Sequence, residues 1–450
     1  VLNKISEKDQ QMQQTETKTA PAKITRNVIA LGIVSLFTDA ASEMIYPLIP
    51  IFVALLGSGA LILGVIEGVA ETTAALLKLV SGIISDKIGK RKLLVVLGYG
   101  ISTIIRPFTG IVTAAWQIVF VRLGDRIGKG IRTAPRDALI AASIDARIRG
   151  KAYGFHRAMD HAGAVLGPIL ALVALILLVL VFKMQDTLQI LRWTFVLALF
   201  PGLLAMFALI FLVQEKKDPV AAARKFSFSL KPFNRNFMNY LGIVTLFSLG
   251  NSSDAFLLFR AQDALHHSQA LYSFIYTTPV IGALVRNFGN PAAQKNLIDI
   301  LVIPLVWAFF HIIKVLFSTP LGALSDKIGR KIVIDIGWGI YAVVYLAFAF
   351  LDRLPDVWQI IATFGLFAVY ALYYAFSEGA EKAFVADLVK PELRGSAFGL
   401  FSFATGLAAL PASILFGFLY NAFGATVAFG TGAVIAGFSM ILFISLVKEP

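Results

Sequence analysis

Gly82-Ile83-Ile84-Ser85-Asp86-Lys87-Ile88-Gly89-Lys90-Arg91-Lys92 interrupts a long apolar tract with one acid, two glycines and four bases. It returns 240 residues later as Gly322-Ala323-Leu324-Ser325-Asp326-Lys327-Ile328-Gly329-Arg330-Lys331. The leading glycine, Gly82 or Gly322, lets its helix come close to a neighbour. The acid, Asp86 or Asp326, stands at a helix end, where a carboxylate can meet a helix N-terminus or an arginine. The second glycine, Gly89 or Gly329, permits a tight turn, and the bases after it suit an anionic membrane leaflet. A loop of this kind between apolar runs, used twice, divides the chain into two related halves.

Working outward, the chain is 58% hydrophobic and 15% charged over 450 residues, with a mean hydropathy of +0.78. That much apolar surface has no place to hide in a soluble protein. Runs of about 20 apolar residues, long enough to cross a ~30 Å hydrocarbon core, recur throughout. Backbone groups in lipid must be satisfied within the segment, so these runs are helices, and the alternation of an outer-membrane barrel is absent. Without cysteine there is neither a disulfide nor thiol chemistry.

Residues 1–26 are polar and are expected to be a disordered cytoplasmic tail without a cleavable leader. Twelve spans are predicted, six within 27–213 and six within 237–450, with 214–236 as a cytoplasmic linker. The first six fall near 28–55, 60–85, 93–113, 117–138, 152–182 and 190–213. The second six fall near 238–261, 298–323, 332–351, 357–385, 396–421 and 425–447. Eighteen lysines and arginines lie in the loops on the side of the repeated motif and five on the other, which predicts that both termini are cytoplasmic. The net charge of +13 is read mainly as this topology signal, and a nucleic-acid partner is not expected. Leu31-Gly32-Ile33-Val34 matches Leu241-Gly242-Ile243-Val244 at an offset of 210 residues, against 240 for the loop motif. About 30 extra residues therefore fall within 262–299, read as an outer-side insertion that forms a short surface helix or a lid.

The doubled loop motif resembles the loop signature of the major facilitator superfamily of secondary transporters, over nearly the whole chain. The resemblance implies an all-α fold of twelve transmembrane helices in two six-helix bundles, working by alternating access in a bacterial inner membrane. It implies that Asp86, and more weakly Asp326, latch the halves on the cytoplasmic side. Gly82, Gly89, Arg91, Arg136, Gly322, Gly329 and Arg330 complete that gate. Gly163-x-x-x-Gly167-Pro168 resembles the glycine-proline motif of the antiporter branches, without its second glycine pair. Asp39-Ala-Ala-Ser-Glu43-Met-Ile-Tyr46-Pro47 and the run Arg132 to Ile140 look like a large bacterial subgroup of the family.

Charges inside the spans are costly in lipid and must face the bundle interior or water. The first span holds Asp39 and Glu43, and the second Glu67 and Glu71. The fourth carries Arg122, Asp125, Arg126, Lys129, Arg132 and Arg136 along one helical face. The fifth places His156, Arg157, Asp160 and His161 on about a turn and a half. Arg106 is expected to snorkel outward. The plainest reading of the fourth and fifth spans is a structural ion-pair network. The functional one assigns the substrate to Arg122, Arg126, Lys129 and Arg157, with Tyr370 and Tyr373 shaping the pocket. A carboxylate-rich first half in this family implies proton coupling, here through Asp39, Glu43, Glu67 and Asp160.

The expected function is a proton-coupled transporter of a small organic anion, such as a carboxylate metabolite or an iron siderophore. One rival is transport of a divalent transition metal by Asp39, Glu43, His156, Asp160 and His161, and another is export of drugs or metabolites. A transporter-like receptor without flux is the reading of another class. No nucleophile, base and orienting group occur together, so an enzyme is not expected. Gly128-Lys129-Gly130 lacks the glycine and hydroxyl residue of a nucleotide loop. Neither cofactor nor resident metal is called for, and a monomer is expected.

Overall fold

Each apolar run satisfies its own backbone by closing into a helix, and among the described residues helices and short 3-10 turns are the only regular structure. A computed structural model of the chain describes residues 24–88, 91–143, 149–215, 233–389 and 394–449. The tail to residue 23, Gly89 and linker residues 216–232 lie outside them. So do the side chains of Asp86 and Asp326 and the surroundings of Gly82 and Gly322.

The first half contains α1 (Arg26–Glu43), α2 (Ile49–Leu55), α3 (Ala60–Ile88), α4 (Arg91–Ile105) and α5 (Ala115–Ala142). It continues through α6 (Arg149–Leu180), α7 (Thr187–Leu197) and α8 (Leu199–Leu212). The second half opens with α9 (Arg235–Gly250), α10 (Ala255–His266), α11 (Gln269–Thr277) and α12 (Pro279–Arg286). It closes with α13 (Pro291–Ile328), α14 (Arg330–Ala349), α15 (Asp356–Asp387), α16 (Arg394–Phe423) and α17 (Ala425–Leu446). Among the described residues eleven stretches are long and apolar enough to cross a membrane. The charged α5 is not one of these, although its 28 residues would reach about 42 Å at 1.5 Å each.

Two predicted spans are broken near their middle. The first yields α1 and α2, separated by a 3-10 turn at Tyr46–Leu48 where Pro47 and Pro50 cannot donate to the helix. The seventh yields α9 and α10, separated by Asn251–Asp254. The insertion holds two short helices, α11 and α12, and α13 begins at Pro291 rather than near 298. The Ala270 amide donates to Asp356 at 2.6 Å and the Tyr276 hydroxyl to Gln294 at 2.6 Å, which fastens these helices to the second half. In the second loop motif Gly329 has φ +98°, a left-handed turn that only glycine takes without strain, between α13 and α14.

Helix pairings recur between the halves. Those of α1 with α6 and α8, and of α5 with α3 and α4, return as α9 with α16 and α17, and α15 with α13 and α14. The halves meet along α3 against α16 and, by the same pseudo-symmetry, α6 against α13. Small residues bring α3 and α16 together. A Cβ added to Gly417 would lie 2.6 Å from the Ala60 carbonyl oxygen, and one on Gly64 would collide with the carbonyl of Ser413. In membranes, where lipid is as apolar as leucine, such close packing is the main attraction between helices. Gly167 likewise lets α6 lie on α1, where a Cβ would stand 2.6 Å from that of Glu43.

A Cβ on Gly59 would lie 3.0 Å from Asn421 Oδ1 across the halves. In this cysteine-free chain, the pair Gly59→Cys and Asn421→Cys should therefore form a disulfide on mild oxidation. Adding Gly64→Val should cut the yield severalfold, read as the shift of the cross-linked band on a gel.

Candidate functional site

Between the halves lies a cavity of about 430 Å³. The first half contributes Tyr46, Glu67, Glu71 and Lys78, and the second Asn251, Ser252, Ser253, Asp254 and Tyr374, with Ser402 and Thr405 from α16. The broken helices explain its polarity. The interruption at Asn251–Asp254 replaces apolar side chains with an amide, two hydroxyls and a carboxylate inside the stretch Arg235–His266, which is long and apolar enough to cross a membrane. Irregular backbone inside such a stretch is tolerated because it lines a cavity.

Most acids of the first half have a base opposite. Arg122 meets Glu67 at 2.8 Å, Arg126 meets Glu71 at 3.0 Å and Arg106 meets Asp125 at 2.8 Å. Arg106 does not snorkel outward as its sequence suggests. It is buried and also donates to the Thr38 carbonyl at 2.9 Å, because an unmatched Asp125 on α5 would cost more than turning the guanidinium inward. Asp160 is held by the Ser35 hydroxyl, by His156 Nδ1 at 3.4 Å and by Arg157 at 3.5 Å. Arg157 is half exposed. Arg132 donates to Ser102 at 2.7 Å and lies 4.5 Å over the Tyr99 ring, while Arg136 pairs with Asp137 at 2.9 Å. Among the described residues Asp39 and Glu43 make no such ion pair, and the Trp307 indole of the second half donates to Glu43 at 2.7 Å.

Several hydrogen bonds cross between the halves at the cavity. Ser253 donates to Glu67 at 3.2 Å, Tyr46 and Ser253 share a hydrogen bond of 3.4 Å, and Thr72 donates to the Gly406 carbonyl at 2.8 Å. Glu67 thus touches Arg122 with one oxygen and the second half with the other. In the second half Asp254 accepts from Tyr370 at 2.6 Å and from Tyr374 at 3.0 Å, and Asn251 donates to Tyr373 at 3.0 Å.

Of the residues picked from sequence, Glu67 lines the cavity, Arg122 and Arg126 stand behind its wall, and Tyr370 and Tyr373 pack behind Asp254 and Asn251. Among the gate residues, Arg91 is buried, and Arg330 pairs with Asp387 while its amide donates to Glu449 at 2.9 Å. Asp39, Glu43, His156, Asp160 and His161 do not converge: among the described residues no three His, Cys, Asp or Glu groups could hold a metal. Sequence reasoning missed Asn251, Ser252, Ser253 and the position of Asp254. The signal was present, since Gly250-Asn-Ser-Ser-Asp254 is a run of turn formers inside an apolar span.

The profile described as Major Facilitator Superfamily matches residues 31–295 and 270–450. An uncharacterized MFS-type transporter of Methanocaldococcus jannaschii is 34% identical over 423 residues, 93% of this chain and 94% of that protein. An uncharacterized protein of Mycobacterium bovis is 25% identical over 403 residues, 88% of this chain and 87% of its own. Among solved structures, a D-xylose–proton symporter aligns with TM-score 0.67 at 17% identity, covering 94% of this chain and 98% of its own. A point mutant of the nucleoside transporter NupG aligns with TM-score 0.69 at 17% identity, covering 94% and 100%.

Removing one member of a buried ion pair strands the other, at about 3–5 kcal/mol. Glu67→Gln should therefore lower stability in detergent by about 3 kcal/mol. The double variant Glu67→Gln with Arg122→Gln should recover much of that loss, measured as the midpoint of thermal unfolding.

Proposed function

Because the chain belongs to the major facilitator superfamily, we propose that it is a proton-coupled secondary transporter that carries a small polar solute through the central cavity by alternating access. The observation that carries this reading is the cavity itself. It is about 430 Å³, is walled by both halves and presents hydroxyl, amide and carboxylate groups from within membrane-length helical stretches. A volume of this order suits a small organic molecule. The D-xylose–proton symporter among the structural neighbours is consistent with proton coupling. The excess of bases on the side of the repeated motif supports cytoplasmic termini in a cytoplasmic membrane.

Proton work falls best to Asp39 and Glu43 among the four carboxylates singled out, because Glu67 and Asp160 already have cationic partners. Glu43 is also hydrogen-bonded to Trp307 of the other half, so a proton gained or lost there acts directly on the contact between halves. The organic-anion reading has a narrower footing. Arg122 and Arg126 are matched by Glu67 and Glu71, and Lys78 is the one base on the cavity wall among the described residues. Nothing in the cavity's chemistry supports a siderophore or iron.

In proteoliposomes, an imposed proton gradient should drive accumulation of at least one solute from a labelled set of pentoses, nucleosides, amines and carboxylates, and a protonophore should abolish it. Absence of both accumulation and counterflow across the whole set would overturn the transporter reading. Asp39→Asn or Glu43→Gln should reduce gradient-driven accumulation by about tenfold or more, the equivalent of ~1.4 kcal/mol, while sparing counterflow exchange. Full gradient-driven accumulation in both variants would remove these residues from the coupling path.

A further inference from the structure

Asp254 differs from the other cavity acids. Glu67 and Glu71 each touch an arginine, whereas among the described residues no cation stands within ion-pair distance of Asp254. Both its oxygens are met by tyrosine hydroxyls of α15: Tyr370 and Tyr374 donate to Oδ1, and Tyr374 also reaches Oδ2 at 3.0 Å. Lys314, which stands beside Tyr374, is engaged elsewhere. It pairs with Glu378 at 3.4 Å and lies 4.1 Å over the ring of Tyr374.

Nor does Asp254 serve its own helix. It occupies the N-cap position of α10, where a carboxylate ordinarily accepts from the first free amides, yet its side chain makes no capping bond. It turns away from that role toward the phenols and the cavity. A carboxylate taken from water without a cation either takes up a proton or meets a counter-charge that arrives from outside. Aromatic rings stand around it. Tyr370 stacks on Phe310 at 5.7 Å and on Tyr373 at 5.6 Å, and Tyr374 meets Tyr373 at 4.9 Å. These rings stack on one another and turn their hydroxyls to the acid, which leaves the carboxylate at the cavity wall as the group that can meet an ammonium by a charge-assisted hydrogen bond.

Resting on the transporter reading above and deepening it, we propose that Asp254, held by Tyr370 and Tyr374, is the subsite that receives a positively charged amine of the transported solute. The remainder of that solute faces the hydroxyl and amide groups of Asn251, Ser253 and Thr405, so the class is a hydroxylated or otherwise polar amine. The ammonium supplies the counter-charge that the protein itself withholds from this acid. Glu67 and Glu71, already matched, contribute shape and hydrogen bonding but no net demand for a cation.

The test uses the full chain in detergent micelles and reads thermal stabilisation. The first probes are D-glucosamine, D-glucose and D-gluconate, which share a framework and differ in charge. A wider panel of amines, neutral polyols, nucleosides and carboxylates of comparable size follows. The expected result is that the stabilising compounds carry an ammonium group. Asp254→Asn should weaken the best of them at least tenfold, while Asp254→Glu, which keeps the charge, should retain part of the binding. Elution volume and helical content establish that each variant is folded. The proposal is overturned if the best stabilisers are neutral or anionic, if no amine stabilises, or if folded Asp254→Asn binds the best amine as the unaltered chain does. Counterflow separates the two readings. Movement of a neutral or anionic solute alone sinks this subsite and leaves the transporter. Amine binding lost in Asp254→Asn, with no solute exchanged, leaves the subsite and sinks the transporter.

Discussion

A charge carried into hydrocarbon must be met by an opposite charge or by water, and the interior of the first half is arranged to meet this demand. The helix α5 carries cations along one face, and α3 and the turn after α4 are placed so that Glu67, Glu71 and Arg106 reach that face. Separating α3 from α5 would leave several buried charges alone at once, each at a cost of several kcal/mol. The first half is therefore stiff where it faces the cavity. The second half is built differently, from an aromatic cluster in which Tyr341 stacks on Tyr345 at 4.1 Å and Phe247 on Trp338 at 4.2 Å. Dispersion and ring geometry do there what ion pairs do in the other half.

Much of the fold was legible because lipid imposes a simple demand on sequence. A run such as Ala425–Leu446 has no use but to span, and its boundaries fall within two residues of those read from hydropathy. The doubled loop motif gave the two-fold plan, and Gly329 takes the left-handed turn expected of it. The helix breaks escaped notice because hydropathy averages over a window, and four polar residues at Asn251–Asp254 disappear within it. Pairings were less legible still. Arg122 and Glu67 are 55 residues apart, and Trp307 and Glu43 are 264 apart. Sequence spacing shows which side chains share a helix face but not which helix lies opposite. For that reason Arg122 and Arg126, assigned to a substrate on paper, are met in space by Glu67 and Glu71.

The two contacts between the halves are alike by pseudo-symmetry but unlike in chemistry. Along α3 and α16 the contact is made of glycines and a backbone carbonyl, with Thr72 donating to Gly406. Beside the α6–α13 contact, α13 reaches the first half through an aromatic and polar group: Trp307 donates to Glu43 at 2.7 Å and its ring lies 5.3 Å from that of Tyr46. A contact of small residues is short-ranged and is lost within an ångström or two, whereas an indole–carboxylate hydrogen bond depends on the direction in which its partners point.

The bend between α9 and α10 is fastened to a neighbour. Tyr341 of α14 donates to the Gly250 carbonyl at 2.9 Å, and Tyr345, one turn further on, shares a hydrogen bond of 3.0 Å with Ser252. The opposite flank of α14 carries Ile332, Ile336, Val343 and Leu346, all exposed on the outer surface where acyl chains lie. One helix thus has lipid on one side and the wall of the cavity on the other, joined by two phenols that scarcely stretch. A bilayer whose thickness tilts such a helix, at a cost of fractions of a kcal/mol per ångström, would therefore move the residues that line the cavity as well. The surrounding membrane would in this sense be a mechanical ligand of the protein, acting on the cavity without entering it.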